Sequence, residues 1–181
     1  QFGNGAAEGD ANMSDLLGSK GANLAEMSRL GMPVPPGFTL PTDVCHYFNK
    51  NDGQLPDSLR ETVITALKEM GAPLGATFGD VDAPLLVSVR SGSRASMPGM
   101  MDTVLNIGLN DKTVTALAAH AGDARFAWDS YRRFIQMYGD VVMGVSQDFF
   151  EEVLDDYKLE HVLAGDADLE ANDWQSVVER Y

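Results

Sequence analysis

Leu17-Gly18-Ser19-Lys20-Gly21-Ala22-Asn23-Leu24, running on to Gly31-Met32-Pro33-Val34-Pro35-Pro36-Gly37-Phe38, combines a helix start with an enforced stop. Gly18 and Gly21 flank Lys20, and Leu24, Met27 and Leu30 then recur every three residues. The spacing predicts a glycine-rich turn feeding a helix over 16–30. Gly31 and Pro33 end it. The prolines that follow cannot donate to a helix and hold the chain extended, leaving Gly37–Leu40 as a short strand. A lysine between glycines at a helix start stands beside backbone N–H groups that lack helical acceptors, an environment suited to an anion such as phosphate. This is not a Walker A loop, which needs four residues between its first glycine and the Gly-Lys-Ser/Thr ending. On spacing alone, a surface turn with a solvated lysine is the plainer reading.

Outward from this stretch, Thr42 reads as the cap of a short helix through His46 to Phe48, with Cys45 as a small buried hydrophobe on it. Leu59, Val63, Leu67 and Met70 mark an amphipathic helix ending at Gly71. Pro84–Arg90 is apolar and β-branched and reads as a buried strand. It opens into a loop of small residues and methionines, after which Thr103–Ile107 forms a second strand closed by Gly108. Helical patterns fill the rest: 112–120, 124–138 capped by Asp123, 149–163, and a last one from Asp173. The expected fold class is α+β (α/β), with a mixed subdomain over residues 1–110 and a mainly helical one over 111–181.

With 181 residues, 44% of them hydrophobic, the chain can bury a real core. No run of 18 apolar residues occurs, and Gln1–Asp10 lacks the basic-then-apolar order of a signal peptide, so no membrane role and a cytoplasmic location are expected. A single cysteine excludes an internal disulfide. The net charge of -14 argues against a nucleic-acid-binding surface. Residues 146–181 carry 11 acidic against 2 basic side chains, so most of that charge belongs to a solvated carboxy-terminal helical face. An anionic ligand must then be held by local basic groups in the first 145 residues. His46, His120 and His161 have neither metal-ligand spacing nor a neighbouring nucleophile.

Arg90 is the sharpest of those basic groups, because it ends an apolar strand where a glycine and serine loop begins. Ligands of open α/β sheets gather at the carboxyl ends of strands, and a guanidinium there can bind phosphate oxygens two at a time. A structural ion pair with Asp80 or Asp82 is the alternative. Arg94 could cover a phosphate or face water. Ser91, Ser93 and Ser96 offer hydroxyls, and Gly92 and Gly99 allow close backbone approach. Met97, Met100 and Met101 could line a base or ribose pocket or fill core. Arg132 and Arg133 lie in an aromatic helix with Phe126, Trp128, Tyr131, Phe134 and Tyr138. Adjacent helical residues point about 100° apart, so the two are not expected to face one partner.

Four motifs in order resemble the pyruvate phosphate dikinase family. They are Phe2-Gly3 through Glu8-Gly9, Leu17 to Met27 continuing through Pro35-Pro36-Gly37-Phe38, Ser88-Val89-Arg90-Ser91-Gly92 through Ser96 to Asn106, and Ala127 to Gly139. Together they span residues 2 to about 145, while the tail beyond Ser146 resembles the family only in composition and helical pattern. The resemblance implies an ATP-grasp-like fold and pyrophosphoryl transfer from ATP to a histidine on a separate swivelling domain, with a (β/α)8 barrel then acting on pyruvate. It implies that Lys20 and Arg90 bind the ATP phosphates, with Arg133 as a further arginine; Arg94, Ser91, Gly92, Met101 and Thr103 complete the expected nucleotide-binding set.

Two departures are visible: Ser19 stands where the family usually has glycine, and Ser93 where alanine is common. The resemblance also implies that Mg2+ accompanies ATP but that its carboxylate ligands, like the phosphorylated histidine, lie beyond Tyr181. The expectation is therefore a nucleotide-binding part of a dikinase, not catalytic alone, whose partners are ATP and the remaining dikinase domains, with self-association through apolar surface that those domains would cover. A phosphoenolpyruvate synthase (water dikinase) and a stand-alone nucleotide- or partner-binding module remain as alternative readings.

Overall fold

The computed structural model describes residues 1–92 and 103–181. These form two compact units, one built from residues 1–75 and 91–92 and the other from residues 76–90 and 103–181.

The first unit begins with a two-residue hairpin, β1 (Phe2–Gly3) against β2 (Ala6–Ala7). Asn4 and Gly5 turn it with positive φ at both positions, the conformation that tight hairpins require. Phe2 also exchanges two backbone hydrogen bonds of 2.9 Å with Gly37, which joins the first sequence motif to the proline-rich end of the second. Within residues 37–40 this is the one bridge. Residues 38–40 pair with nothing as a strand, so the expected strand over Gly37–Leu40 shrinks to a single rung.

Helix α1 spans Ser14–Arg29 but is broken at Gly18, whose φ of 69° and ψ of 162° are not helical. Its buried face is Gly18, Gly21, Ala22, Ala25 and Ser28, while Met27 and Leu30 are exposed. The spacing thus located the helix but not the face it buries. Small residues win there because the chain approaches closely: a Cβ on Gly21 would meet the Thr39 side chain at 2.9 Å. Helix α2 (Thr42–Lys50) starts from Pro41, not from a Thr42 cap. The Thr42 hydroxyl instead donates to the Asp15 carbonyl at 2.7 Å. Cys45 is exposed, since α2 buries no residue at all. Helix α3 (Leu59–Gly71) half-buries Leu59, Val63, Leu67 and Met70, the face that the spacing predicts.

The second unit holds β3 (Val87–Arg90) antiparallel to β4 (Thr103–Ile107), with Arg90 opposite Thr103 and Val89 opposite Val104. An irregularity between Val87 and Val89 coincides with Asn106 at a φ of 58°, a bulge on β4. Leu85 is buried just before β3, but Ser88, Val89 and Arg90 are exposed, so the expected buried strand is a covered entry to an open one. Four helices follow: α4 (Thr113–Ala121), α5 (Ala124–Val141), α6 (Gln147–Glu160) and α7 (Ala171–Arg180). Asp123 caps α5 by accepting from the Phe126 amide at 2.9 Å.

Two apolar clusters hold this unit together. Leu109, Val114, Ala127 and Tyr131 join the chain after β4 to α4 and α5. Leu154, Tyr157, Leu169, Trp174 and Val177 join α6 to α7. Arg125 fastens α5 to the segment before α7, its Nε donating to the Leu169 carbonyl at 2.6 Å and its Nη2 to that of Asp166 at 2.8 Å. The mixed helix and small-sheet content agrees with the α+β class.

Candidate nucleotide-binding site

In the first unit, the break at Gly18 restarts the helix, so Lys20 stands in its opening turn, where N–H groups have no preceding carbonyls to bond. Lys20 is half-buried and has no ion-pair or hydrogen-bond partner among the described residues. Thr39 lies against Gly21 and Thr42 binds the Asp15 carbonyl, so the extended segment after Pro36 flanks this turn on both sides of the break. The outcome is a turn carrying an ammonium with no counter-charge among the described residues, which suits a multiply charged anion.

In the second unit, Arg90 is exposed and pairs with neither Asp80 nor Asp82. Asp80 is already engaged: its Oδ1 accepts the amides of Asp82 and Ala83, both at 2.8 Å, which hold its carboxyl below the usual range. Arg90 ends a strand of a two-stranded antiparallel sheet, so the rule for open parallel sheets does not explain its position. The hairpin register does, by setting Thr103 directly opposite Arg90. Ser91 and Gly92, which follow β3 in sequence and belong to the first unit, are exposed. Arg94 and Met101 lie outside the described residues, as do Ser93, Ser96, Met97, Gly99 and Met100.

Helix α5 carries Arg132 and Arg133, and both bind one carboxylate, contrary to the expectation that adjacent residues cannot share a partner. Arg132 Nη2 donates to Asp129 Oδ1 at 2.6 Å and Arg133 Nε to Asp129 Oδ2 at 3.0 Å. Asp129 lies three and four residues earlier, within reach of both long side chains, and offers one oxygen to each. Their environments differ sharply, with the Arg132 side chain 8% exposed and that of Arg133 64%. Arg132 also donates to Gln136 Oε1 at 2.8 Å and lies 4.8 Å from the centre of the Trp174 ring. Asp129 was not singled out in the sequence, although its spacing to both arginines was the signal that could have found it.

Tyr131, on the same helix, donates its hydroxyl to Asp111 Oδ1 at 2.8 Å. Burial, and then the Asp111 carboxylate, push its phenol up to about 12. Among the described residues, no group of three acidic, histidine or cysteine side chains could hold a metal ion, and no helix is long and apolar enough to cross a membrane.

Comparison with known proteins places the chain in a family. A profile described as "Pyruvate phosphate dikinase, AMP/ATP-binding domain" matches residues 14–53 and 51–158. The pyruvate, phosphate dikinase of Rhizobium meliloti (strain 1021) is 59% identical over 180 residues, which is 99% of this chain and 20% of that protein. The corresponding enzyme of Clostridium symbiosum is 50% identical over 96% of this chain and 20% of its own length. One from Flaveria pringlei, described as chloroplastic, is 49% identical over 99% of this chain and 19% of its own. The alignments with the first and last of these relatives cover 99% of the chain and so extend into the tail beyond Ser146. This chain spans about a fifth of the length of these relatives. It belongs to the pyruvate phosphate dikinase AMP/ATP-binding domain family.

Proposed function

We propose that this chain supplies phosphate-binding residues to the ATP site of a pyruvate phosphate dikinase, with Lys20 and Arg90 neutralising the phosphates and Arg133 as a third cation. The supporting observation is Lys20 itself: half-buried, in the first turn after a glycine break, with no counter-charge among the described residues. Phosphoryl transfer depends mainly on charge neutralisation and positioning, which is what such groups can give. Arg94, Ser91, Gly92, Met101 and Thr103 complete the nucleotide-binding set. Residues 1–110 carry the phosphate-handling chemistry apart from Arg133, and 111–181 form the helical support.

The reaction is that of the complete enzyme: ATP, pyruvate and phosphate give AMP, phosphoenolpyruvate and diphosphate. Mg2+ enters with ATP, and its ligands come from the remaining domains. The site works in the cytoplasm, without nucleic acid or membrane. Alone, residues 1–181 bind ATP weakly or not at all, and they self-associate through apolar side chains such as Met143, Leu159 and Val162, which are 69%, 76% and 92% exposed. A clean monomer by gel filtration would contradict the last point.

The decisive experiment is calorimetry of MgATP binding to the complete dikinase with Lys20→Ala, Arg90→Ala and both. Removing either charged side chain should cost about 1.5–3 kcal/mol of binding free energy, roughly a ten- to hundredfold weaker Kd. Affinity that survives the double substitution would remove both residues from the site.

A further inference from the structure

The Asp129 cluster has an asymmetry that its ion pairs alone do not explain. An exposed pair four residues apart on a helix is worth little, because both side chains wander and water screens them. Here the carboxylate is only 20% exposed, and its other oxygen is gripped at 2.6 Å by an arginine that is almost wholly buried. Arg132 is fixed in turn by Gln136 on its own helix and by Trp174 of α7, itself 1% exposed. Asp129 is therefore held rigidly on one side and presents a single fixed acceptor on the other. Arg133 uses that acceptor through Nε alone, at 3.0 Å. Its Nη1 and Nη2 have no partner among the described residues. A guanidinium tethered at Nε keeps its two-pronged Nη edge open, the edge that can meet two phosphate oxygens at once.

We infer that Asp129 is a positioning residue which, braced by buried Arg132, aims the Nη edge of Arg133 at a phosphate group of the nucleotide. The inference rests on the reading of Arg133 as a phosphate ligand and adds how that arginine is oriented before ATP arrives. Preorganisation of this kind acts by sparing the bound state the ordering of a long, flexible side chain. It also gives α7, far along the sequence, a part in the site through the contact of Trp174 with Arg132.

The test is a double-mutant cycle in the complete dikinase, using Asp129→Asn, Arg133→Met and the pair, with kcat and KM for ATP as readouts and thermal melts as a check of folding. Arg133→Met should lower kcat/KM for ATP, and Asp129→Asn should lower it on the order of tenfold with Arg133 present. In the Arg133→Met background, Asp129→Asn should add no further loss. Asp129→Glu, which keeps the charge but shifts it by one methylene, should recover part of the activity, and it takes the place of Asp129→Asn in the cycle if that variant does not fold. Arg133→Met with unchanged kinetics would overturn the phosphate-ligand reading and this inference with it. Arg133→Met with a clear loss but an unaltered Asp129→Asn, or equal losses from Asp129→Asn in both backgrounds, would overturn the positioning role alone.

Discussion

The ring of Phe2 occupies the space that a Cβ on Gly37 would need, with an ideal Cβ there 2.5 Å from the Phe2 Cζ. The φ of Gly37 is not in the left-handed region, so the ring and not the backbone demands glycine at this position. Gly37→Ala should destabilise the first unit by about 1–3 kcal/mol through overpacking. Adding Phe2→Ala should relieve that part of the cost, so denaturant unfolding of the two single variants and the pair should be strongly non-additive. Additive losses would show that ring and glycine do not compete for one volume.

Val162 is the second site with a readable cost. Helix α6 ends at Glu160, three residues before the point that the apolar spacing predicts, and Val162 takes a φ of 57° while 92% exposed. The Leu163 amide donates to the Lys158 carbonyl at 2.9 Å and that of Val162 to Leu159 at 3.3 Å, the paired bonds of a Schellman ending. Glycine usually fills this position, because a β-branched residue is strained there. Val162→Gly should therefore raise stability by about 1 kcal/mol, visible as a higher melting temperature. A lower one would refute the strain.

Tyr131 predicts the alkaline limb of stability. Its phenol is raised from 10.0 to about 12 in the folded chain, so the folded state holds the proton more tightly than the unfolded one. The stability this contributes is fully present below about pH 10 and is lost as pH rises through about 12. Unfolding free energy between pH 9 and 12 should fall more steeply for the native chain than for Tyr131→Phe. Equal slopes would assign the alkaline loss to other groups.

Thr42 offers a smaller effect. Thr42→Val keeps the side-chain shape but removes the donor to the Asp15 carbonyl, and should cost about 0.5–1.5 kcal/mol. Because that bond ties α2 to the turn before Gly18, protease cleavage near Gly18 should quicken in the variant. Unchanged cleavage would free the turn from this tether.

Much of this was legible from spacing, though unevenly. Helix α3 and strand β4 follow from strong local patterns and the Asp123 cap from its residue type. The face of α1 did not follow, because its leucine and methionine stripe is outbid by glycines and alanines that let Thr39 approach. Thr42 looked like a cap, yet its hydroxyl is used 27 residues away, a partner that local patterns cannot reveal. Lys20 and Arg90 could be picked out by their flanking glycines and strand end. Their lack of counter-charge among the described residues could not, since it depends on what folding brings near them. Arg132 and Arg133 read in sequence as neighbours pointing apart, yet the two oxygens of Asp129 bind one each.

The small-residue face of α1 has a consequence for how nucleotide binding would register. Alanine, glycine and serine bury little apolar area, so the turn around Lys20 is held by close approach and a few hydrogen bonds more than by hydrophobic free energy. Such a segment opens locally at low cost, well before the chain unfolds as a whole. A ligand held there would suppress that opening in proportion to its affinity. Amide hydrogen exchange over residues 18–39 of the complete enzyme should slow when MgATP binds, while exchange from the Trp174 cluster stays at its native rate. The weakness of this packing thus turns the turn into a reporter of its own occupancy.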